Sequence, residues 1–195
     1  MDRSADLDDA LAGARRGDAE GFAALYRAHQ APLLRYLRSI VGPDADDVAS
    51  ETWLQAIRDL NRFRGNGTEL RAWLVTIGRH RALDLLRAQR RRPSDAWDPA
   101  LLPEGRARDD TAELTEESMA TRRALALIAR LPRDQAEAVL LRVVVGLDAP
   151  AAAAVMGKRA GAVRMATSRG LTRLAQLLEE QGVTRGDPAA LKEVR

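Results

Sequence analysis

Apolar positions recur at three- and four-residue steps along most of the chain, and strict alternation is rare, so the pattern predicts helices. Leu7, Leu11 and Ala14 are spaced for a short first helix. Asp18 is placed to cap a second one carrying Phe22, Leu25 and Tyr26. Pro32 should kink or restart it, because an interior proline removes a hydrogen bond. Leu33, Leu34, Leu37, Ile40 and Val41 continue the stripe until Gly42-Pro43 breaks it. Asp44 fits the N-cap of a third helix whose apolar face is Ala49, Trp53, Ala56, Ile57 and Leu60. Asp46, Asp47 and Glu51 fall in its first turns, where carboxylates favour the positive end of the helix dipole. The Gly and Asn content of 61–68 predicts a loop. A fourth helix, burying Leu70, Trp73, Leu74 and Ile77, starts near Glu69 and runs into an Arg-rich stretch.

The pattern then lapses. Pro93, Pro99, Pro103 and Gly105 punctuate a stretch in which Trp97, Leu101 and Leu102 are the large apolar residues. It resumes as a helix over about 113–130. Pro132 suits the first turn of the next helix, whose inner stripe is Ala136, Val139, Leu140 and Val143 and whose C-terminal cap is Gly146. Asp148 caps a short Ala-rich helix from Pro150 to Val155, Gly157 makes a tight turn, and a last helix runs from about Ala160 to Glu180, with Val163, Leu171 and Leu174 expected inward. Two helices joined by a short Gly-containing turn form a helix-turn-helix. The fold predicted is all-α: two small helical domains, 1–92 and 113–181, joined by a flexible acidic linker over 93–112, with a tail over 182–195.

Composition supports helices. Hydrophobic residues make up 46% of the chain but aromatics only 4%, so the cores must be built from Ala, Leu and Val. Five Asp lie in the first twenty residues, which does not suit a signal peptide. The longest apolar run is far short of a membrane span, so a soluble, cytoplasmic protein without membrane insertion is expected. No Cys and two His predict no metal or cofactor. No nucleophile–base constellation or phosphate-cradling Gly loop is present, so no enzymatic activity is expected.

The net charge of +3 conceals strong segregation. Residues 79–92 hold six Arg against one Asp, and residues 156–174 hold Lys158, Arg159, Arg164, Arg169 and Arg173 with no acid, a local net of +5 in each. Between them, residues 94–117 hold eight acids against two Arg. Two basic zones flanking an acidic one suggest two nucleic-acid contacts joined by a linker, although solvated helix faces would look alike by charge alone.

Several short motifs then occur in order: Phe22-Ala-Ala-Leu-Tyr26, Asp46-Asp-Val-Ala-Ser-Glu-Thr-Trp53, Phe63-Arg-Gly65, Arg71-Ala-Trp-Leu74 and Ala82-Leu-Asp-Leu-Leu-Arg87. After the acidic stretch come Leu131-Pro132, Gln135-Ala-Glu-Ala-Val-Leu-Leu-Arg142, Gly146-Leu147, Gly157, Gly161-Ala-Val-Arg164 and Arg169-Gly-Leu171. The ordered set resembles regions 2 and 4 of the extracytoplasmic-function sigma factors of bacterial RNA polymerase. The resemblance covers about 20–90 and 122–178. It implies a first domain that binds the polymerase clamp and the −10 promoter element, and a second that binds the polymerase flap and the −35 element. The linker would thread toward the RNA exit path, where an acidic segment can stand in for RNA. An anti-sigma factor that masks both domains is a further partner of the kind such proteins use.

On this resemblance Asp46, Asp47, Ser50, Glu51 and Leu54 are the clamp-binding candidates. The −10 candidates are Asn61, Arg62, Arg64, Asn66 and Thr68 of the loop, which would capture an unstacked base, and Arg71, Arg79, His80, Arg81 and Arg87 of the following helix. In the last helix Arg164, Met165, Ser168 and Arg169 share a face able to enter a major groove, while Lys158, Arg159 and Arg173 suit phosphates. The resembled family often has Arg where this chain has Ala166. The free protein is expected to be a monomer with uncoupled domains. Two other functions fit parts of the pattern: a stand-alone helix-turn-helix regulator, and a helical adaptor that binds only proteins.

Overall fold

The computed structural model describes residues 3–91 and 116–180, and among these there is no strand. The first domain contains α1 (Arg3–Arg15), α2 (Ala19–Val41), α3 (Ala45–Asp59) and α4 (Glu69–Arg91). The second contains α5 (Glu116–Ile128), α6 (Arg133–Val139), a π-helical turn (Leu140–Val144), α7 (Ala149–Met156) and α8 (Ala160–Glu180). The linker candidates Trp97, Leu101 and Leu102 lie outside the described residues, as do Arg92 and the tail.

Local chemistry sets most boundaries. Asp18 accepts from the backbone N–H groups of Glu20 and Gly21 at 3.1 and 3.2 Å, satisfying two donors that a helix start leaves open. Asp148 does the same for Ala151 at 2.7 Å, and Gly157 closes α7 in the left-handed region at φ 65°. Two cap assignments change. Asp44 holds the N-cap position of α3, but its side chain accepts from Gln89 Nε2 at 3.1 Å instead of capping. Pro132 is the N-cap of α6 and not in its first turn.

Pro32 does not break α2, which runs unbroken from Ala19 to Val41. The lost hydrogen bond is outweighed by one buried face that continues through the proline: Leu25 and His29 before it, Leu33, Tyr36 and Leu37 after it. These side chains pack on Val48, Ala49, Trp53 and Ala56 of α3 and on Leu70, Leu74, Val75 and Ile77 of α4. Trp53 satisfies its indole N–H on Gln30 Oε1 at 2.7 Å and meets the Phe22 ring edge-on at 5.6 Å.

The second core departs from simple periodicity at one point. Leu140–Val144 is π-helical, with Val145 N–H bonded to Leu140 O at 2.9 Å. One extra residue in that turn rotates the phase of every later side chain. Val143, expected inward, is therefore exposed, while Leu141 and Val145 are buried. Ile57 and Leu171, also expected inward, are exposed as well.

The two domains are in direct contact. Tyr36 and Arg79 of the first reach Glu137 of the second, and Arg71 reaches the Val145 carbonyl. Apolar packing is continuous between them. The expectation of uncoupled domains does not hold for this arrangement, because buried polar partners and a shared apolar surface join them.

Candidate nucleic-acid interface

The loop between α3 and α4 is held by α1. Asp8 Oδ1 accepts from Gly67 N–H at 2.6 Å, Arg15 donates to Phe63 O at 2.7 Å, and Ser4 and Thr68 hydroxyls lie 3.4 Å apart. A Cβ on Gly67 would stand 2.5 Å from the Leu7 backbone, so this approach requires glycine. Asn66 and Glu69 form a reciprocal capping box: Asn66 Oδ1 accepts from Glu69 N–H at 2.8 Å, and Glu69 Oε2 accepts from Asn66 N–H at 2.9 Å. Asn66 thus caps the turn that leads into α4, and it is exposed. The bracing role of Asp8 and Arg15 was not legible as a motif; one acid and one base on a short helix carry no spacing signal.

Asn61, Arg62, Arg64, Asn66 and Thr68 are all exposed on this loop. Beside it lies a cavity of about 310 Å³ lined by Gln55, Asp59, Arg62, Phe63, Trp73 and Ile77. Phe63 stacks on Trp73 with ring centroids 4.8 Å apart, giving the cavity an aromatic wall, and Gln55, Asp59 and Arg62 supply polar edges. A flat wall and hydrogen-bonding edges are what an unstacked base requires.

The α4 candidates divide. His80 and Arg87 are exposed, and Arg87 pairs with Asp84 at 2.6 Å. Arg81 bonds across to Glu51 and Gln55 of α3. Arg71 and Arg79 lie at the domain contact instead of on an open face. Arg71 Nη1 donates to Val145 O at 3.2 Å, and its Nε lies 3.5 Å from His29 Nδ1. Burial, with the Arg71 charge second, draws His29 down to about 4, so it is neutral near pH 7. Arg79 Nε donates to Glu137 Oε1 at 2.5 Å, which holds the guanidinium more firmly protonated. Tyr36 donates to the same oxygen at 3.3 Å, and burial followed by the carboxylate raises its phenol pKa far above the ordinary range.

On α3, Asp46, Asp47, Ser50, Glu51 and Leu54 are all exposed and form one stripe at helical spacing. Ile57, half exposed, extends it with a second large apolar side chain. A stripe that is acidic at one end and apolar at the other is suited to a basic-rimmed protein groove. Ser50 Oγ donates to Asp46 O at 2.9 Å, inside the helix, so its hydroxyl is engaged locally. Sequence periodicity places Ile57 inward, but it lies one position from the true inner face, which carries Ala56.

In the second domain α7, the Gly157 turn and α8 form the helix-turn-helix. Arg164, Met165, Ser168, Arg169 and Arg173 are exposed along α8, whereas Val163, Ala166 and Gly170 are buried. Ala166 therefore faces the core, so it leaves no gap in the outward face. Lys158 pairs with Asp134 of α6, which lowers that carboxyl's pKa, and Arg159 is exposed before the helix start. No histidine, Cys or carboxylate group capable of holding a metal is assembled among the described residues. No helix among them is long and apolar enough to cross a membrane.

Comparison with known proteins finds two family matches along the chain. Residues 25–92 match sigma-70 region 2, and residues 121–174 match sigma-70 region 4. The ECF RNA polymerase sigma factor SigD of Mycobacterium tuberculosis is 36% identical over 190 residues, spanning 94% of this chain and 87% of that protein. BldN of Streptomyces coelicolor, also an ECF RNA polymerase sigma factor, is 32% identical over 179 residues, spanning 91% and 67%. Among solved structures, CnrH in complex with the cytosolic domain of CnrY superposes with a TM-score of 0.62 at 26% identity, over 89% of this chain and 98% of that one. The RpoE–NepR complex from Bartonella quintana gives 0.59 at 25% identity, over 83% and 98%. The chain belongs to the extracytoplasmic-function sigma factors of the sigma-70 family, which direct RNA polymerase to promoters.

Proposed function

We propose that 1–92 reads and opens the −10 element while docked on the polymerase clamp, and that 113–181 reads the −35 element while docked on the flap. Residues 93–112 would span the two sites. The observation that carries the reading is the outward face of α8, where Arg164, Met165, Ser168 and Arg169 stand free of the core at the start of a recognition helix. The α3 stripe supplies the clamp contact, and the loop with its aromatic-walled cavity captures one unstacked −10 base. The protein acts in the cytoplasm as a non-catalytic initiation factor. The solved relatives CnrH and RpoE are bound to CnrY and NepR. A comparable anti-sigma partner is proposed for this chain.

The test is capture of core polymerase followed by run-off transcription. Asp47→Arg with Glu51→Arg replaces two attractive charges by repulsive ones and is expected to weaken holoenzyme assembly at least tenfold. The Glu51–Arg81 pair is exposed on the Glu side, and such pairs contribute about 0–1 kcal/mol, so the fold should survive. Unchanged assembly would remove the clamp assignment. Tight promoter binding without polymerase would favour a stand-alone regulator, and absence of salt-dependent DNA binding would favour an adaptor.

A further inference from the structure

The contact between the domains is built around a single carboxylate. Glu137 of α6 accepts from Arg79 Nε at 2.5 Å and from Tyr36 OH at 3.3 Å, and its second oxygen lies 3.5 Å from Arg79 Nη2. The pair is largely enclosed, with side-chain exposures of 18% for Arg79 and 15% for Glu137. Beside it opens an interdomain cavity of about 570 Å³. Arg87 and Arg90 line it from α4, and Arg133 lines it from α6. Glu137 is the one acid among the residues that line this cavity, facing four guanidinium groups counting Arg79. A second link lies along α4, where Arg71 Nη1 donates to Val145 O at 3.2 Å.

Charge decides what this arrangement can do. Without Glu137, Arg133 of one domain would face Arg79 and Arg90 of the other, and Arg87 with its partner Asp84, across an exposed rim with no acid left in the cavity lining, and like charges there repel. The carboxylate therefore determines whether the domains close. Geometrically it does for Arg79 what a phosphate oxygen does, accepting from the guanidinium edge. Both α4 arginines engaged here, Arg71 and Arg79, belong to the set assigned to the −10 element.

We infer that Glu137 is an intramolecular latch: it occupies Arg79 in place of a DNA phosphate and holds the second domain against α4, so that the free protein is closed and the face of α4 that carries Arg71 and Arg79 is masked. Release requires a competitor that supplies phosphates to α4 or that fixes the domains apart, and a holoenzyme on promoter DNA does both. The masking part of this inference rests on the proposed DNA role of α4, whereas the closure does not.

The chain has no Cys, so single cysteines introduced at exposed Asp9 and Glu179 can carry a donor and an acceptor dye without background. In the full-length protein, Glu137→Gln should lower energy transfer between the domains at low salt. It should also raise affinity for a labelled random-sequence duplex roughly tenfold, within the usual span of coupling between two sites. Helical content by circular dichroism checks that the variant is folded. The swap Arg79→Glu with Glu137→Arg should restore transfer, which a general loss of stability would not allow. Unchanged transfer in folded Glu137→Gln overturns the latch. Lowered transfer with unchanged duplex affinity overturns the masking. Neither result touches the sigma-factor assignment, whose own failure would show as loss of polymerase capture by the wild-type chain.

Discussion

The two helices that carry the densest positive charge use it differently. On α4, Arg71, Arg79 and Arg81 each donate to an acceptor on another element, and Arg87 donates to Asp84 of α4 itself. On α8, Arg164, Arg169 and Arg173 are exposed and hold no hydrogen bond or ion pair among the described residues. The α8 face is presented: binding costs side-chain entropy but breaks no bond to a described residue. The α4 face is engaged: contact with DNA must exchange an existing acceptor for a phosphate. A protein built this way can meet duplex DNA with its second domain before its first is free to act. Substitutions in α4 should therefore disturb fold and binding together, and substitutions in the outward face of α8 should disturb binding alone.

The largest expected effect separates the domains by acid. Both histidines of the chain, His29 and His80, lie in the first domain. His29 is buried beside Arg71, and its pKa is drawn down to about 4 from 6.5. The unfolded chain therefore binds the proton more readily than the folded one. Stability from this group is fully present above about pH 6.5 and is lost as the pH falls through about 4, by up to about 3 kcal/mol. Trp53 and Trp73, both in the first domain, report its unfolding by fluorescence. His29→Gln should flatten the acid dependence over that window. An identical acid profile in the variant would detach the effect from His29.

Second in size is the reading face. Arg164→Ala and Arg169→Ala should each cost about 1–3 kcal/mol at the promoter and relax selectivity at one −35 position. Thermal stability should move by less than about 0.5 kcal/mol, as for an exposed residue outside the core. Transcription from a library of −35 variants measures the first quantity and thermal melts the second. A large stability loss with intact selectivity would show that α8 is engaged as α4 is, and the contrast between the helices would collapse.

How legible this was in the sequence follows from the range of each interaction. Among the caps and turns set within four residues, Asp18, Asp148 and Gly157 sit where local spacing puts them, while Pro132 falls at the N-cap of α6 and not in its first turn. The bounds of α8, Ala160–Glu180, followed from the turn and the stripe. Errors arose where a distant contact overrode a local rule. Pro32 is carried through α2 by packing on α3 and α4, and Asp44 gives up capping for Gln89, 45 residues away. The π-helical turn after Leu140 shifts a stripe that a constant period cannot follow. The same holds at the candidate site. On α3 the resemblance names Asp46, Asp47, Ser50, Glu51 and Leu54, and all five are exposed, whereas periodicity puts the neighbouring Ile57 inward and it is exposed too. Engagement of Arg79 by Glu137, 58 residues away, was not legible, because charge density along the chain does not reveal which charges face each other.

The smallest expected effect tests whether the presented face is itself uniform. Arg173 lies nine residues beyond Arg164, about 13 Å along the helix axis at 1.5 Å per residue. A straight helix entering a major groove at its N-terminal end has left the base edges by that distance and faces the phosphate backbone. A phosphate contact carries no sequence information, so Arg173→Ala should weaken all −35 variants by the same factor. It should also reduce the slope of log affinity against log salt by about 0.9, the contribution of one neutralised phosphate. Arg164→Ala removes a charge too, so the salt slope alone does not separate the two roles; the pattern across the promoter library does. Should Arg173→Ala alter base preference while Arg164→Ala and Arg169→Ala leave it untouched, the C-terminal half of the α8 face does the reading. The helix must then enter the groove from its other end.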